Sequence, residues 1–358
     1  MSSRRITRTP ANSLLLGRMP KGCQLCIRGA KLVLFVTGLC TRGCYYCPLS
    51  EKRRNKDAVY ANERPVESDR DVVEEAKLID ALGTGLTGGD PSLRFRRTLH
   101  YLLLLKRKFG KRHHVHMYVG GELSLKQLRE LKRAGLDEVR FHTWSAKPVE
   151  AALKAGLRAG VEVPAIPNRF EKTKSLLRKL DKIGCTFVNL NELEFSDTNL
   201  AAMKARGFRI KSDTSMAVKG SEELAHKLMR WAARNTRLNI HYCPSSLKDS
   251  VQLRNRLRRR AKNVAKPYES ITGEGLLVKG VIYAPPTKLA TTRRRLISRY
   301  NLPAKLIGID KQKCRIELAP EIAEKLAKLE PGLKFALIEE YPTYDRLETL
   351  VVPLKGKV

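Results

Sequence analysis

The stretch Cys40-Thr-Arg-Gly-Cys44-Tyr-Tyr-Cys47 decides how this 358-residue chain is understood. It places three cysteines at C-x₃-C-x₂-C spacing, directly after an apolar, strand-like run at 31–37. Three thiolates on one short loop can hold three corners of an iron–sulfur cube, which leaves the fourth iron open to a small molecule. The spacing therefore predicts a 4Fe-4S cluster on Cys40, Cys44 and Cys47.

Two other uses of these cysteines fit the pattern less well. A structural zinc site normally has four protein ligands, and this loop supplies three. A disulfide would leave one cysteine of the three unpaired and would need an oxidising compartment. Cluster binding is the interpretation that uses all three thiols.

A second motif, Gly88-Gly89-Asp90-Pro91, ends the next strand-like run. Taken by itself, this motif predicts the start of a helix, with Asp90 as the N-cap and Pro91 as the first helical residue. The cysteine triplet, with Tyr46 before its last cysteine and this motif after it, resembles the radical S-adenosylmethionine (radical SAM) superfamily. That family usually carries Gly-Gly-Glu-Pro, so Asp stands here in place of Glu. More narrowly, the chain resembles an archaeal group related to pyruvate formate-lyase activating enzymes. The superfamily resemblance covers about residues 30–195, and the narrower one covers most of the chain.

The resemblance implies an oxidoreductase-type radical enzyme. It would cleave S-adenosylmethionine reductively at the cluster and generate a 5′-deoxyadenosyl radical, with electrons from a donor such as ferredoxin or flavodoxin. Residues 88–91 and Tyr46 would then bind the cofactor, with Asp90 presenting its carboxylate to the methionine amino group. His142 and Asn191, at the tips of two strands, are candidates for catalysis and for ribose or substrate contact, respectively.

Alternation of strand and helix patterns over residues 31–245 predicts an α/β fold, a parallel (β/α) partial or full barrel with six or eight strands. Active sites of such barrels lie at the carboxyl ends of the strands, where both motifs fall. The strand-like runs lie near 31–37, 84–88, 114–119, 138–142, 161–166 and 186–191, with two weaker runs near 208–212 and 237–242.

The inner face of this barrel is predicted to be polar. Side chains alternate along a strand, so His114, His116 and Tyr118 share one face of the run 114–119, and Arg140 shares a face with His142. Barrel interiors are usually packed with branched apolar residues. A polar interior indicates either a self-satisfied hydrogen-bond network or a pocket for cofactor and substrate.

Three other segments flank the barrel. Residues 1–30 form a basic lead-in with a C-x₂-C pair, and residues 246–266 form a basic linker helix. Residues 267–358 follow a βαββαβ order that resembles a ferredoxin-like α+β module.

The remaining cysteines leave several possibilities open. Cys23 and Cys26 form a half-site for metal, and His241 and Cys243 share one face of the last barrel strand. Together they could hold a second Fe-S cluster or a zinc ion, although the lead-in would have to fold back for them to meet. Alternatively, Cys243 is catalytic beside the substrate or is a small buried hydrophobe.

Charge points to a polyanionic partner. The net charge is +34, and we count 13 basic against 3 acidic side chains in residues 1–66, and 13 against 2 in residues 252–299. The leading expectation is therefore a radical enzyme that modifies RNA, either tRNA or rRNA. The alternatives are an activating or peptide-modifying enzyme acting on a protein partner, and a non-catalytic Fe-S protein that binds RNA. No run is long enough to span a membrane, and eight cysteines beside an oxygen-sensitive cluster favour the reducing cytoplasm.

Overall fold

The computed structural model describes residues 4–354. The chain forms two compact units, the first ending at Leu253 and the second beginning at Arg254.

The first unit is built from strands and helices that mostly alternate. Its strands are β1 (Ile6–Thr9), β2 (Ser13–Leu16), β3 (Lys31–Thr37), β4 (Tyr60–Ala61), β5 (Arg64–Pro65), β6 (Gly83–Gly88), β7 (His114–Val119), β8 (Glu138–Phe141), β9 (Arg158–Ala165), β10 (Phe187–Glu192), β11 (Ile210–Ser212), β12 (Ser215–Val218) and β13 (Ile240–Cys243). Its helices are α1 (Lys21–Ile27), α2 (Asp69–Leu78), α3 (Phe95–Phe109), α4 (Leu125–Arg133), α5 (Lys147–Lys154), α6 (Phe170–Lys182), α7 (Leu200–Lys204), α8 (Ser221–Asn235) and α9 (Ser245–Leu247), with a 3₁₀ turn at Pro91–Arg94 and a π-helical turn at Lys248–Leu253.

Seven parallel strands form the main sheet, in the order β13-β10-β9-β8-β7-β6-β3. Antiparallel strands extend it at both ends: β2 and β1 beyond β13, and β4 and β5 beyond β3. The sheet does not close, so the expected fold class is confirmed as a partial barrel. The expected count of six or eight strands is wrong. The run near 237–242 supplies the seventh strand, whereas β11, from the run near 208–212, pairs with β12 in a separate hairpin.

The two faces of the sheet differ as the alternation predicts. Val115, Met117 and Phe141 are fully buried in one apolar core with helix residues such as Leu102 and Leu128. Burial of such side chains against the amphipathic helices is the main stabilising contribution. The polar residues of the same strands therefore face the inside of the barrel, here called the lumen.

The lead-in folds back onto the barrel. β2 pairs antiparallel with β13, so that Leu16 lies opposite Ile240. α1 follows and enters the lumen: a Cβ atom added at Gly22 would lie 2.5 Å from Arg140 and 2.8 Å from His116. A residue larger than glycine would therefore separate α1 from the strands that it covers.

The second unit has the predicted ferredoxin-like order. It comprises α10 (Arg254–Val264), β14 (Ser270–Ile271), β15 (Leu277–Tyr283), α11 (Leu289–Tyr300), β16 (Ile307–Asp310), β17 (Arg315–Leu318), α12 (Pro320–Leu329), β18 (Lys334–Glu340) and β19 (Glu348–Leu354), with 3₁₀ turns at Pro286–Lys288 and Ala304–Leu306. Its antiparallel sheet runs β16-β17-β15-β18-β19, and β14 pairs with β15. Among residues 4–354, no helix has the length and apolar character to cross a membrane.

Candidate active site

The cysteine loop leaves the carboxyl end of β3. Gly43 adopts a positive φ of 56°, which turns the chain between the first two cysteines at little steric cost. The amide of Arg42 donates to Cys40 Sγ at 3.4 Å, and the amide of Cys47 donates to the Cys44 carbonyl at 3.0 Å. The loop is thus folded so that its three thiols, all partly exposed, line one cavity.

This cavity has a volume of about 620 Å³ and lies at the carboxyl ends of the parallel strands. The predicted site residues that line it are Cys40, Cys44, Cys47, Tyr46, Gly88, Gly89, His142 and Asn191. The predicted site residues outside its lining are Asp90, Pro91, Cys23, Cys26 and Cys243. The structure therefore brings the cluster loop, the glycine motif and the two strand-tip candidates together.

His142 is held in a chain of hydrogen bonds beside the cluster loop. Its Nδ1 lies 3.1 Å from the carbonyl oxygen of Glu162, and its Nε2 lies 2.9 Å from the Tyr46 hydroxyl. A carbonyl can only accept, so Nδ1 carries the proton and Nε2 accepts from Tyr46. Burial lowers the pKa of His142, which keeps the imidazole neutral. With both nitrogens engaged, His142 positions Tyr46 and the loop that carries it.

Glu162 is the central charged group of the lumen, and it was not among the predicted site residues. Its carboxylate accepts from Arg140 at 3.0 Å, from Asn189 at 2.9 Å and from Asn191 at 3.1 Å. Burial acts to raise the pKa of Glu162, but the Arg140 cation and the two amide donors outweigh it and lower that pKa. The sequence feature that could have identified Glu162 is its position as a single carboxylate between two valines of an apolar strand, at 161–163.

Two acids and a lysine close the cavity beside β10, and they too were missed. Lys248, on the π-helical turn, pairs with Glu194, while Glu192 accepts from the amide and hydroxyl of Ser245 at 2.9 and 3.0 Å. The lysine comes from a segment far along the chain, so no local pattern connects it to the site.

The glycine motif packs against the cysteine loop. A Cβ at Gly88 would lie 2.2 Å from the Thr37 carbonyl, and one at Gly89 would lie 2.4 Å from the Leu39 carbonyl. Asp90 is fully buried and caps the 3₁₀ turn, with Oδ1 accepting from the amide of Ser92 and Oδ2 accepting from the amide of Gly121. Its carboxylate is therefore occupied by the protein, and the part of the motif facing the cavity is the backbone of the two glycines.

The second cysteine group comes into one region of the lumen, but within residues 4–354 its three thiols do not form a group with ligand atoms within 4.8 Å of one another. Gln252 spans two of its members, since Cys26 Sγ donates to Oε1 at 2.8 Å and Nε2 donates to Cys243 Sγ at 3.7 Å. Cys23 Sγ accepts from Asn189 at 3.2 Å. Burial raises the pKa of Cys243 to about 12. The expected separation of the lead-in from the end of β13 is wrong, because the β1–β2 hairpin and α1 fold back along that strand.

The donor set on the cluster loop fits an iron–sulfur cluster with one open iron. Three thiols face the cavity, and the other polar groups there are amides, carboxylates, hydroxyls and cations suited to a polar small molecule. An open parallel barrel with such a loop at its carboxyl ends is the architecture of a radical SAM enzyme. The radical SAM superfamily profile matches residues 34–148.

The chain belongs to the radical SAM superfamily, and it is similar to one relative over nearly all of its length. It is 40% identical to a Methanocaldococcus jannaschii protein provisionally named a glycyl-radical enzyme activating enzyme, over 95% of this chain and 94% of the relative. Residues 275–354 match a domain of unknown function, DUF8061.

Similar solved structures are more distant. SuiB of Streptococcus suis, bound to S-adenosylmethionine, aligns at 11% identity and a TM-score of 0.43, over 60% of this chain and 50% of that one. This chain thus matches about half of SuiB. Methylornithine synthase (PylB) aligns at 16% identity and a TM-score of 0.40, over 60% of this chain and 71% of that one.

Proposed function

We propose that this radical SAM enzyme activates a protein partner by removing a hydrogen atom from the partner's backbone, most simply from a glycine. The observation that carries the proposal is the full-length relative with an activating-enzyme name. One electron from a ferredoxin- or flavodoxin-type donor and one S-adenosylmethionine would be consumed; methionine and 5′-deoxyadenosine would leave, the latter carrying the abstracted hydrogen, and the substrate carbon would keep the unpaired electron.

The chain's own residues bind, orient and shield in this scheme. Cys40, Cys44 and Cys47 would hold the cluster. The backbone at 88–89 and the Asn191 side chain would contact the cofactor. Tyr46 donates a hydrogen bond to the neutral imidazole of His142. This bond would fix the cysteine loop, so that the cluster keeps one orientation toward the cavity.

The second unit offers a surface for a protein partner. β19 is the last strand of its sheet, and four nearby apolar side chains are exposed: Leu347, Leu350, Val351 and Val352 are 58%, 54%, 44% and 42% accessible. Exposed apolar residues on an edge strand favour pairing with another chain. This supports a protein substrate that docks on the second unit.

RNA modification is the second candidate, and the net charge of +34 favours it. Phosphate contacts by lysine and arginine would make RNA affinity depend steeply on salt. A base substrate would have to be extruded into the cavity. Both candidate functions include a location in the cytoplasm, which is supported by the absence of disulfides among the eight cysteines, all of which lie within residues 4–354.

One anaerobic experiment separates the two candidates. Reconstituted enzyme is reduced with dithionite, supplied with S-adenosylmethionine, and mixed with total RNA, with a protein extract, or with neither. We expect 5′-deoxyadenosine to rise with the protein extract, together with a glycyl-type signal in electron paramagnetic resonance. A rise with RNA alone would favour RNA modification instead. A Cys40→Ala/Cys44→Ala/Cys47→Ala variant is the control and should form no product.

A further inference from the structure

A group of three ligand-type side chains lies in the lumen at the amino ends of the strands, away from the cysteine cavity. His114 and His116 on β7 and Glu138 on β8 bring their ligand atoms within 4.8 Å of one another. Among residues 4–354, no other group of three or more histidine, cysteine, aspartate or glutamate side chains has its ligand atoms this close together. The three residues are 8%, 0% and 0% exposed.

The atoms that converge have no partners in the protein. His114 Nε2, both ring nitrogens of His116 and Glu138 Oε2 are buried without a hydrogen bond. Buried polar atoms are normally paired, and each one left unpaired costs about 1–3 kcal/mol. A shared ligand would satisfy an atom of each residue at once.

The surrounding residues orient each side chain for such a ligand. His114 Nδ1 lies 4.0 Å from Asp137 Oδ2, longer than a hydrogen bond, and His114 Nε2 is buried without a partner. Glu138 accepts from Arg140 through Oε1 alone, at 2.7 Å, so its second oxygen is free. Carboxylates that are hydrogen-bonded in this way are common among metal ligands.

His116 has little freedom to turn away. A Cβ atom at Gly22 would lie 2.8 Å from its ring, and one at Gly85 would lie 2.9 Å from its Nε2. Arg140, the nearest cation, is also bound by Glu162 at 3.0 Å. Glu138 therefore does not have to neutralise Arg140 alone.

We propose that His114, His116 and Glu138 bind one divalent metal ion, and that the ion is zinc. Two imidazoles and a carboxylate are a ligand set used by zinc with one position left open. Ligands at about 2.1 Å from a single ion lie at most about 4.2 Å apart, so small rotations of these side chains suffice. A separate cavity of about 620 Å³, lined by His114 and Asp137 among others, lies beside the group.

The ion joins β7 to β8 under α1, at the opposite end of the strands from the radical cavity. Its role is therefore to stabilise the lumen, and it should raise the unfolding temperature without taking part in the radical reaction. This proposal is independent of the identity of the substrate.

The test uses the full chain with Cys40, Cys44 and Cys47 changed to alanine, so that no cluster iron is present. The protein is stripped with a chelator and loaded with Zn²⁺ alone. We expect one zinc per chain, a raised unfolding temperature, and an X-ray absorption spectrum with nitrogen and oxygen neighbours and imidazole scattering. His116→Ala or Glu138→Gln in this background should lose the zinc. His113→Ala is the matched control, since His113 bonds Thr84 and is outside the group, and it should keep the zinc.

The absorption spectrum keeps the test decisive even if a variant fails to fold, because it is measured on the parent protein. Sulfur neighbours would place the zinc on the Cys23, Cys26 and Cys243 thiols and would overturn the proposal. So would the absence of bound zinc, or its retention by both ligand variants.

Discussion

Replacing Glu162 by glutamine should destabilise the first unit more than any neutralisation of a surface carboxylate. The change keeps the shape of the side chain and removes its charge. Arg140 then loses one of its two carboxylate partners, and one of the two asparagine amides meets an amide nitrogen in place of an oxygen.

The magnitude follows from the burial of this group. Removing one partner of a buried ion pair costs about 3–5 kcal/mol. Arg140 keeps Glu138 at 2.6 Å, and the Glu162 side chain is 18% exposed, so we expect the lower end, about 3 kcal/mol. For a folding unit of this size each kcal/mol shifts the midpoint by about 2–4 °C, which gives a fall of about 6–12 °C.

Thermal unfolding followed by circular dichroism at pH 7 measures the effect. Glu150→Gln is the matched control, because Glu150 pairs with Lys154 at 2.8 Å on an exposed helix face and should shift the midpoint by less than 2 °C. A shift for Glu162→Gln no larger than that of the control would refute the view that Glu162 organises the lumen.

The same pair of variants tests the pH dependence. The pKa of Glu162 is lower in the folded protein than in the unfolded chain. Its contribution to stability is therefore present above the unfolded value of about 4.3 and is lost as the pH falls below it. The difference in midpoint between wild type and Glu162→Gln should narrow between pH 6 and pH 3, whereas the small difference for Glu150→Gln should not follow this course.

Three further outcomes are expected. Tyr46→Phe removes the hydroxyl that donates to His142 Nε2 and so loosens the position of the cysteine loop. Because small displacements of reacting groups slow a reaction, 5′-deoxyadenosine should form about tenfold more slowly while the iron content per chain stays unchanged. An unaltered rate would count against the positioning role. Cys23→Ala with Cys26→Ala should leave the metal bound beyond the first cluster unchanged, because the converging ligand atoms belong to His114, His116 and Glu138. Elemental analysis after anaerobic reconstitution measures this, with Cys185→Ala, at a buried thiol near backbone carbonyls, as the control. A loss of metal in the double variant alone would indicate a second thiol site. Lys279→Ala removes the ammonium group that lies 2.6–3.1 Å from three buried carboxylates. The unfolding midpoint of the second unit, measured by calorimetry, should therefore fall by at least about 12 °C. A fall of only a few degrees would mean that the neighbouring arginines are enough to neutralise these carboxylates.

The sequence predicted those features of the fold and site that depend on residues close together in the chain. The cysteine spacing and the run 31–37 placed the cluster loop at a strand end, and the period of two in 114–119 separated the core face from the lumen face. Asp90 as an N-cap followed from its position before Pro91, and the structure has this cap. In each case the interactions that decide the structure join residues close together in the sequence.

Contacts between distant parts of the chain could not be predicted in the same way. α1 contains Gly22 and Cys23, and its place in the lumen depends on the pairing of β2 with β13, more than two hundred residues away. A strand pattern does not say which neighbour it will pair with, so Cys26 and Cys243 were expected to lie apart. The helix α8 was also missed, although Leu224, Leu228 and Met229 follow the helical period and are buried.

The polar lumen contains two different environments, one at each end of the strands. Toward the cysteine cavity, Tyr46, His142, Glu162 and Asn191 bond one another or the backbone, which is the arrangement of a preorganised site. At the amino ends of the strands, by contrast, the histidines of β7 have ring nitrogens without partners. A lumen that only needed to be self-consistent would pair both ends equally well. The difference is therefore best explained if the first environment is complete before cofactor binds and the second is completed by an ion.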